Sequence, residues 1–331
     1  MAVSGSVSAA SVSASSPVSV TASTRPIGQP IGSPGEGGSR VGGIARSFVT
    51  AARIGWRMEA NWTDPLLFFI YSVAKPVSAA LILVVMLSIV AGPAAANLRP
   101  FVVVGTAFWS LVTSGISGLA WSILDDRERY RMLKYIYVSP SDFIVVLLGR
   151  GVARIGVGAA GSLITIAVGI VALGVPFDVT SIDWPVLLIA TVFGLTSVVA
   201  LALLLAAVCL QTRQESWSYP EAFAGAAFLV SGAVFPLTVL PTPVQALGLI
   251  TPLGWWIEAA RRAFIPDAPS GIGGPGSLLA SINGGNPPTS LECLVALIVT
   301  GAIATLASAV VFRRSVRRAQ DRGLLDLTTG S

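Results

Sequence analysis

Apolar residues fall along this chain in long blocks, not in the short periodic patches of a soluble domain. A helix needs about 20 such residues to cross a bilayer. Six blocks reach that length, at about 67–91, 101–123, 155–174, 184–208, 222–240 and 291–312. The fold class expected is an all-α integral membrane protein with six transmembrane helices. Ahead of them, Ile44 to Trp62 is amphipathic. Arg46, Arg53 and Arg57 share one helical face, with Ile44, Phe48, Met58 and Trp62 elsewhere around it, because offsets of four and seven residues nearly superimpose on a helix. This predicts an interfacial helix, basic side toward lipid headgroups or a partner.

One apolar stretch resists the pattern. Ser231 to Arg262 carries Pro236, Pro241, Pro243 and Pro252. Each removes a backbone donor and crowds the preceding turn, so no straight helix runs through it. Broken backbone at membrane depth is tolerated only where protein or a water-filled cavity covers it. The segment therefore reads as one that dips into the membrane and turns beside something polar, which points to transport. A loop rich in Gly, Pro, Asn and Ser follows, from Asp267 to Ser290.

Basic residues orient the chain. Those on the N-terminal segment, on the joint between spans two and three, and around Arg213 and Arg313–Arg322 number seventeen, against Arg99, Arg261 and Arg262 on the other face. Positive residues favour the cytoplasm, so both termini are expected there and the broken stretch outside. Residues 1–43 are Ser, Ala, Val, Gly and Pro with few large side chains. Such a tail is expected to be disordered, and it lacks the pattern of a signal peptide. Residues 319–331 form a short cytoplasmic tail.

Composition agrees. Hydrophobic residues make up 53% of the 331 and charged ones 11%, against about 25% charged in soluble domains, and the mean hydropathy is +0.79. The net charge of +5 follows from topology, so no nucleic-acid partner is expected. There is no histidine, which removes the commonest metal ligand and general base. Cys209 and Cys293 fall in different spans and read as packing residues. Lys75 beside Pro76 is either a functional charge within a span or a side chain snorkelling at the cytoplasmic interface; the interface is favoured. Glu221 and Glu292 sit at span ends. Gly151, Gly156, Gly158 and Gly161 permit close helix approach. Trp184, Trp217, Trp255 and Trp256 lie where an aromatic belt is expected. Asn61-Trp62-Thr63 fits a glycosylation pattern on the wrong side of the membrane for it.

Asp125 to Asp142 (DDRERYRMLKYIYVSPSD) is dense in alternating charge. Basic residues alone would anchor a cytoplasmic joint. The acids Asp125, Asp126 and Glu128 add nothing to an anchor, so docking of a soluble partner is the preferred reading.

This loop, with Arg127-Glu128-Arg129 running on to Ser139-Pro140, resembles that of the ABC type-2 permeases of bacterial drug, lipid and polysaccharide exporters. Tyr130-Arg131 stands where the family usually has Gly-Thr. The order Ser231-Gly232, Phe235-Pro236, Leu240-Pro241, Pro252 and Glu258-Ala259-Ala260-Arg261 is similar too, as is Asn61–Pro76 before the first span. The resemblance covers about 44–318, which it makes one transmembrane domain. It implies a non-catalytic permease subunit in the bacterial cytoplasmic membrane, paired with a second permease half, identical or not, and served by two copies of a separate ATPase. ATP and Mg would bind that ATPase, leaving no cofactor on this chain. It implies an ATPase-docking loop of Asp125, Asp126, Arg127, Glu128, Arg129, Arg131, Lys134 and Pro140, beside the Arg46, Arg53 and Arg57 helix. It also implies an outer re-entrant gate of Phe235, Pro236, Pro241, Pro252, Trp255 and Trp256, with Trp255-Trp256 and Arg261-Arg262 at the water boundary.

The residues add two exclusions of their own. A P-loop needs Gly before its Lys, and here Ala74 and Leu133 precede the two lysines. Glu258-Ala259-Ala260 looks like the importer loop that contacts an ATPase, but Phe264 stands where that loop needs Gly. Two rival classes are an ion-gradient-driven secondary transporter, which would want carboxylates or histidines deep in several spans, and a membrane enzyme acting on lipid-linked substrates. The enzyme would need clustered acids, and Asp125-Asp126 is the one acid pair.

Overall fold

Long apolar runs need every backbone group paired within the segment, and a helix does this without outside help. In the computed structural model the described residues are 40–60, 70, 74, 77–79, 81–86, 88–89, 92, 95–138, 142–172, 174–175, 180–212, 218–266 and 269–322. Among them all regular structure is helical, and four helices are long and apolar enough to cross a membrane: Leu98–Arg129, Phe143–Val171, Trp184–Gln211 and Ser290–Asp321.

In chain order, α1 is Arg40–Ala60 and α2 is Ala95–Leu124, which runs on into a wider-wound turn at Asp125–Arg129. Next come α3 (Leu133–Val138), α4 (Phe143–Val171), α5 (Trp184–Gln211) and α6 (Ser218–Val230). After a tight turn and a 3-10 turn at Leu237–Val239 follow α7 (Thr242–Ile250), α8 (Pro252–Phe264), α9 (Ala280–Asn283) and α10 (Ser290–Asp321). Local chemistry places several boundaries. The Asp142 carboxylate accepts from Ile144 N to start α4, and Asp183 accepts from Val186 N, with Pro185 in the first turn, to start α5. Thr289 and Glu292 form a reciprocal capping box at α10.

The core lies where α2 packs on α4 and α5, α5 on α10, and α8 on α2, α5 and α10. It is built from Phe108, Ile116, Ile123, Leu210, Leu253, Trp256, Leu297 and Phe312 among others. A Cβ on Gly151 would overlap Leu119, and one on Gly158 would overlap Ser114. Small residues thus bring α2 and α4 together, as expected.

Three expected spans keep their place but change length. The second begins at Ala95 and includes Pro100. The third was expected at 155–174, yet α4 starts at Phe143, so Arg150 and Arg154 lie inside the helix and not in a joint. Ion pairs to neighbouring helices make their place there tolerable. The sixth continues through Arg313–Arg318 as unbroken helix.

The fifth expected span, 222–240, is corrected most. Helix α6 stops at Val230 after 13 residues, about 20 Å long against about 30 Å of hydrocarbon. Ser231-Gly232 ends it because Gly232 takes φ +66°, a left-handed conformation costly for other residues. About half of the first expected span, including Lys75 and Pro76, lies outside the described residues. Its described part contains the apolar helix Val77–Met86, whose Val84 packs with Phe101, Val102 and Val103. Residues 1–39, Asn61–Trp62, Ser139-Pro140, Arg213, Trp217 and 323–331 also lie outside.

Candidate functional site

The basic ends of the helices meet at one end of the bundle. Gln211 at the end of α5 donates from Nε2 to Ser315 O of α10 at 2.7 Å, and Ser315 Oγ donates to Ala207 O at 2.7 Å. The Arg127 guanidinium donates to Cys209 O and Thr212 O, each at 3.0 Å. Those carbonyls belong to the last turn of α5, which helical bonding leaves unpaired, so Arg127 caps it.

Asp125–Arg129 winds as a π turn, with Tyr130 N donating to Asp125 O at 2.8 Å. The extra residue redirects the acids toward α4. Asp126 forms a buried ion pair with Arg150. Arg154 Nε meets Glu59 Oε1 of α1 at 2.6 Å and its NH2 meets Asp125 Oδ2 at 3.3 Å. One guanidinium therefore holds α1, α2 and α4 together. Beside it lies a small cleft of about 100 Å³, lined in part by Gly55, Ser122 and Tyr130.

Helix α1 rests on α4 through small residues. A Cβ on Gly55 would touch the backbone of Arg150, and one on Gly149 would overlap Phe48 O and Ala51. Ala51 and Gly55 face inward, the partly exposed Trp56 lies beside Gly156 of α4, and Arg46, Arg53 and Arg57 are exposed on the far side. The expected amphipathic helix exists, with its arginines turned away from the protein.

The expected docking residues divide. Asp126 and Arg127 are buried, not presented to a partner. Asp125 and Glu128 are half-buried, Glu128 pairing with Arg127 at 2.9 Å. Arg129 and Arg131 are exposed, Arg131 at φ +50°, a left-handed conformation uncommon for a residue with a side chain. Lys134 belongs to α3, but its side chain, like Pro140, lies outside the described residues. The exposed surface also includes Tyr130, Met132 and Tyr135, which charge counting passes over. Glu59, Arg150 and Arg154 are missed as well; their partners are distant in sequence, so no local pattern signals the pairing.

At the opposite end the proline-broken stretch folds back against the bundle. Asp183 N donates to Ala263 O at 3.0 Å, which fixes the end of α8 beside the start of α5. Trp256 lies against Gly194, where a Cβ would overlap the indole, and Gly194 is about 15 Å along α5 from Trp184. Trp256 also meets Phe108 edge to face at 5.7 Å.

Glu258 and Arg261 tie this region together. Arg261 NH1 donates to Glu258 Oε2 at 3.0 Å, and NH2 to Gly232 O at 3.0 Å and Ala233 O at 3.3 Å. Glu258 also accepts from Arg262 NH2 at 3.0 Å, Ser270 Oγ at 2.6 Å and Gly271 N at 2.8 Å. Leu237 N donates to Gly271 O at 2.7 Å. The turn after α6, helix α8 and the 270–273 loop are thereby clipped into one block. Arg261 and Trp256 are 1% and 0% exposed, so neither stands at the water boundary and Trp256 is not a belt anchor. Of the expected gate residues, Phe235 and Pro236 are half-buried, Pro241 is exposed, and Pro252 and Trp255 are buried. Trp184 is exposed, as a belt residue should be.

Cys209 and Cys293 are buried free thiols. Among the described residues no cluster of potential metal ligands occurs.

No family model matches the chain. Over 147 residues it is 27% identical to a protein of Escherichia coli (strain K12) described as a probable multidrug ABC transporter permease, YbhR; the match covers 44% of this chain and 39% of that protein. The YbhR protein of Escherichia coli O157:H7 matches to the same extent. The chain thus matches well under half the length of these relatives. Together with four helices of spanning length, the likeness supports a multi-pass membrane protein.

Proposed function

We propose that this chain is the transmembrane subunit of an ABC exporter of the type-2 kind, moving an amphipathic or lipid-like substrate outward on ATP hydrolysed by a separate subunit. The partial likeness to a multidrug ABC permease carries this reading. Six passes complete the arrangement, the first through the apolar residues before Gly92 and the fifth through α6 with the segment after it. The α7–α8 hairpin is the outer re-entrant element. Both termini lie in the cytoplasm of a bacterial cell, and a second permease half completes the pathway.

The basic end supports an ATPase-facing role. Arg154 joins α1 to the Asp125–Arg129 turn and to α4, so a push on any one element is carried to two others. The partner would contact the exposed Arg129, Tyr130, Arg131 and Tyr135, with Arg46, Arg53 and Arg57 alongside. Asp126 and Arg127 would act from within, holding the turn in shape. ATP-driven closure of two ATPase subunits would then rock the permease halves between inward-open and outward-open states.

The test is co-expression with P-loop ATPases encoded in the same gene neighbourhood, followed by purification through a tag on this chain. An ATPase is expected to copurify, and R129E with R131E to weaken its retention. Absence of any ATPase, or retention unchanged by the double reversal, contradicts the docking surface.

A further inference from the structure

At the basic end, α4 and α10 enclose a groove of about 320 Å³, lined by Asp142, Phe143, Ile144, Phe312, Arg313, Val316, Arg317 and Gln320. That size falls within the range of small-ligand sites, about 300–1,000 Å³. Its floor is apolar: Phe143 and Phe312 stack with centroids 6.1 Å apart and planes 8° from parallel. Its rim is basic. Arg313 and Arg317, four residues apart on one face of α10, are both exposed. Asp142 is the acid on the rim, and its carboxylate is occupied in capping α4 at Ile144 N, 2.8 Å away.

The groove has a defined depth. From Cys293 to Phe312 helix α10 carries no charged residue for about 30 Å at 1.5 Å per residue, the thickness of a bilayer's hydrocarbon core. Phe312 therefore marks the inner hydrocarbon boundary, and Arg313 and Arg317 stand among the headgroups. The geometry points to a binding site for one anionic phospholipid of the inner leaflet, its acyl chain over the half-buried Phe143, Ile144 and Val316 and its phosphate between Arg313 and Arg317. Guanidinium groups suit phosphate because their donors form a planar fork. A soluble acidic segment would have to cross the headgroup layer to reach the same floor, which favours the lipid. The inference rests on the chain lying in a bilayer and not on ATP-driven export, so it stands or falls apart from the ATPase partnership.

Basic residues of α10 outside the groove provide the control. Arg314 and Arg318 are exposed as well but do not line the groove. The experiment is native mass spectrometry of the full chain purified in detergent with mixed phosphatidylglycerol and phosphatidylcholine. Wild type is expected to retain phosphatidylglycerol in preference to phosphatidylcholine. R313Q/R317Q should bind phosphatidylglycerol about thirtyfold more weakly, while R314Q/R318Q, of equal net charge, should keep most of the binding. Q320E, a mild change on the rim, should weaken binding by repelling the phosphate, and it carries the test if the double variant does not fold. Equal losses in the two double variants, no headgroup preference in wild type, or no effect of Q320E on binding overturns the site.

Discussion

Arg261 and Glu258 form an ion pair that is out of water altogether, each side chain 1% exposed with 3.0 Å between NH1 and Oε2. The Arg261 guanidinium also lies 3.6 Å over the ring of Phe101, so the pair binds the block of α8 and its neighbouring turns to α2. Removing one member of a buried pair strands the other charge and costs about 3–5 kcal/mol, whereas replacing both with apolar groups of similar size is far milder. E258Q should lower the thermal unfolding midpoint of the purified protein sharply, R261M less so because Glu258 keeps Arg262 at 3.0 Å, and E258L/R261M should recover part of the loss seen with E258Q. A double variant less stable than either single one would show that the stranded charge is not what destabilises the single variants.

The Trp256 contact with α5 rests on absent atoms. A methyl group at Gly194 would occupy the indole's place, and overpacking of this kind costs about 1–3 kcal/mol. G194A should be destabilising, and W256F should relieve part of that cost because the smaller ring leaves room. G225A is the control: nothing lies within 4 Å of a Cβ there, so the change should be neutral or stabilise α6 by up to about 1 kcal/mol. Thermal unfolding of the four variants, read as a double-mutant cycle for Gly194 and Trp256, measures the coupling. Additive effects at the two positions would contradict the contact.

At the basic end, Arg154 is the shared partner of Glu59 and Asp125. All three are partly exposed, so each pair contributes about 1 kcal/mol or less to global stability. The effect should instead be local. R154Q should raise amide hydrogen exchange across α1 and the Asp125–Arg129 turn and leave α5 and α10 unchanged. Uniform exchange, or protection of α1 equal to wild type, would show that α1 is held by Ala51 and Gly55 alone.

Much of this architecture is legible in the residues. The apolar blocks at 184–208 and 291–312 reappear within α5 and α10, and the prolines after Val230 mark where helix gives way to turns. The helical arginine face of α1 is where its spacing puts it. What escaped was charge inside helices. Arg150 and Arg154 look like loop residues because guanidinium groups are costly in a span, and only the contact with Asp126, Asp125 and Glu59 removes that objection. Trp256 and Arg261 look like interfacial side chains for the same reason. Their burial depends on partners distant in sequence, Gly194 and Gly232, which no local pattern connects. In the docking loop, composition alone did not separate Asp126 and Arg127, which hold the turn from within, from Arg129 and Arg131 on its surface.

Export through this chain, on the proposed reading, is driven by ATP hydrolysed on another. The direct measurement is substrate movement in proteoliposomes holding this chain with its copurified ATPase, using a fluorescent amphipathic drug or lipid analogue as the probe. The expected result is movement toward the side opposite the ATPase that requires ATP and Mg, is abolished by an ATPase unable to hydrolyse ATP, and survives collapse of all ion gradients. Movement driven by an ion gradient without ATP would contradict that reading and identify a secondary transporter instead.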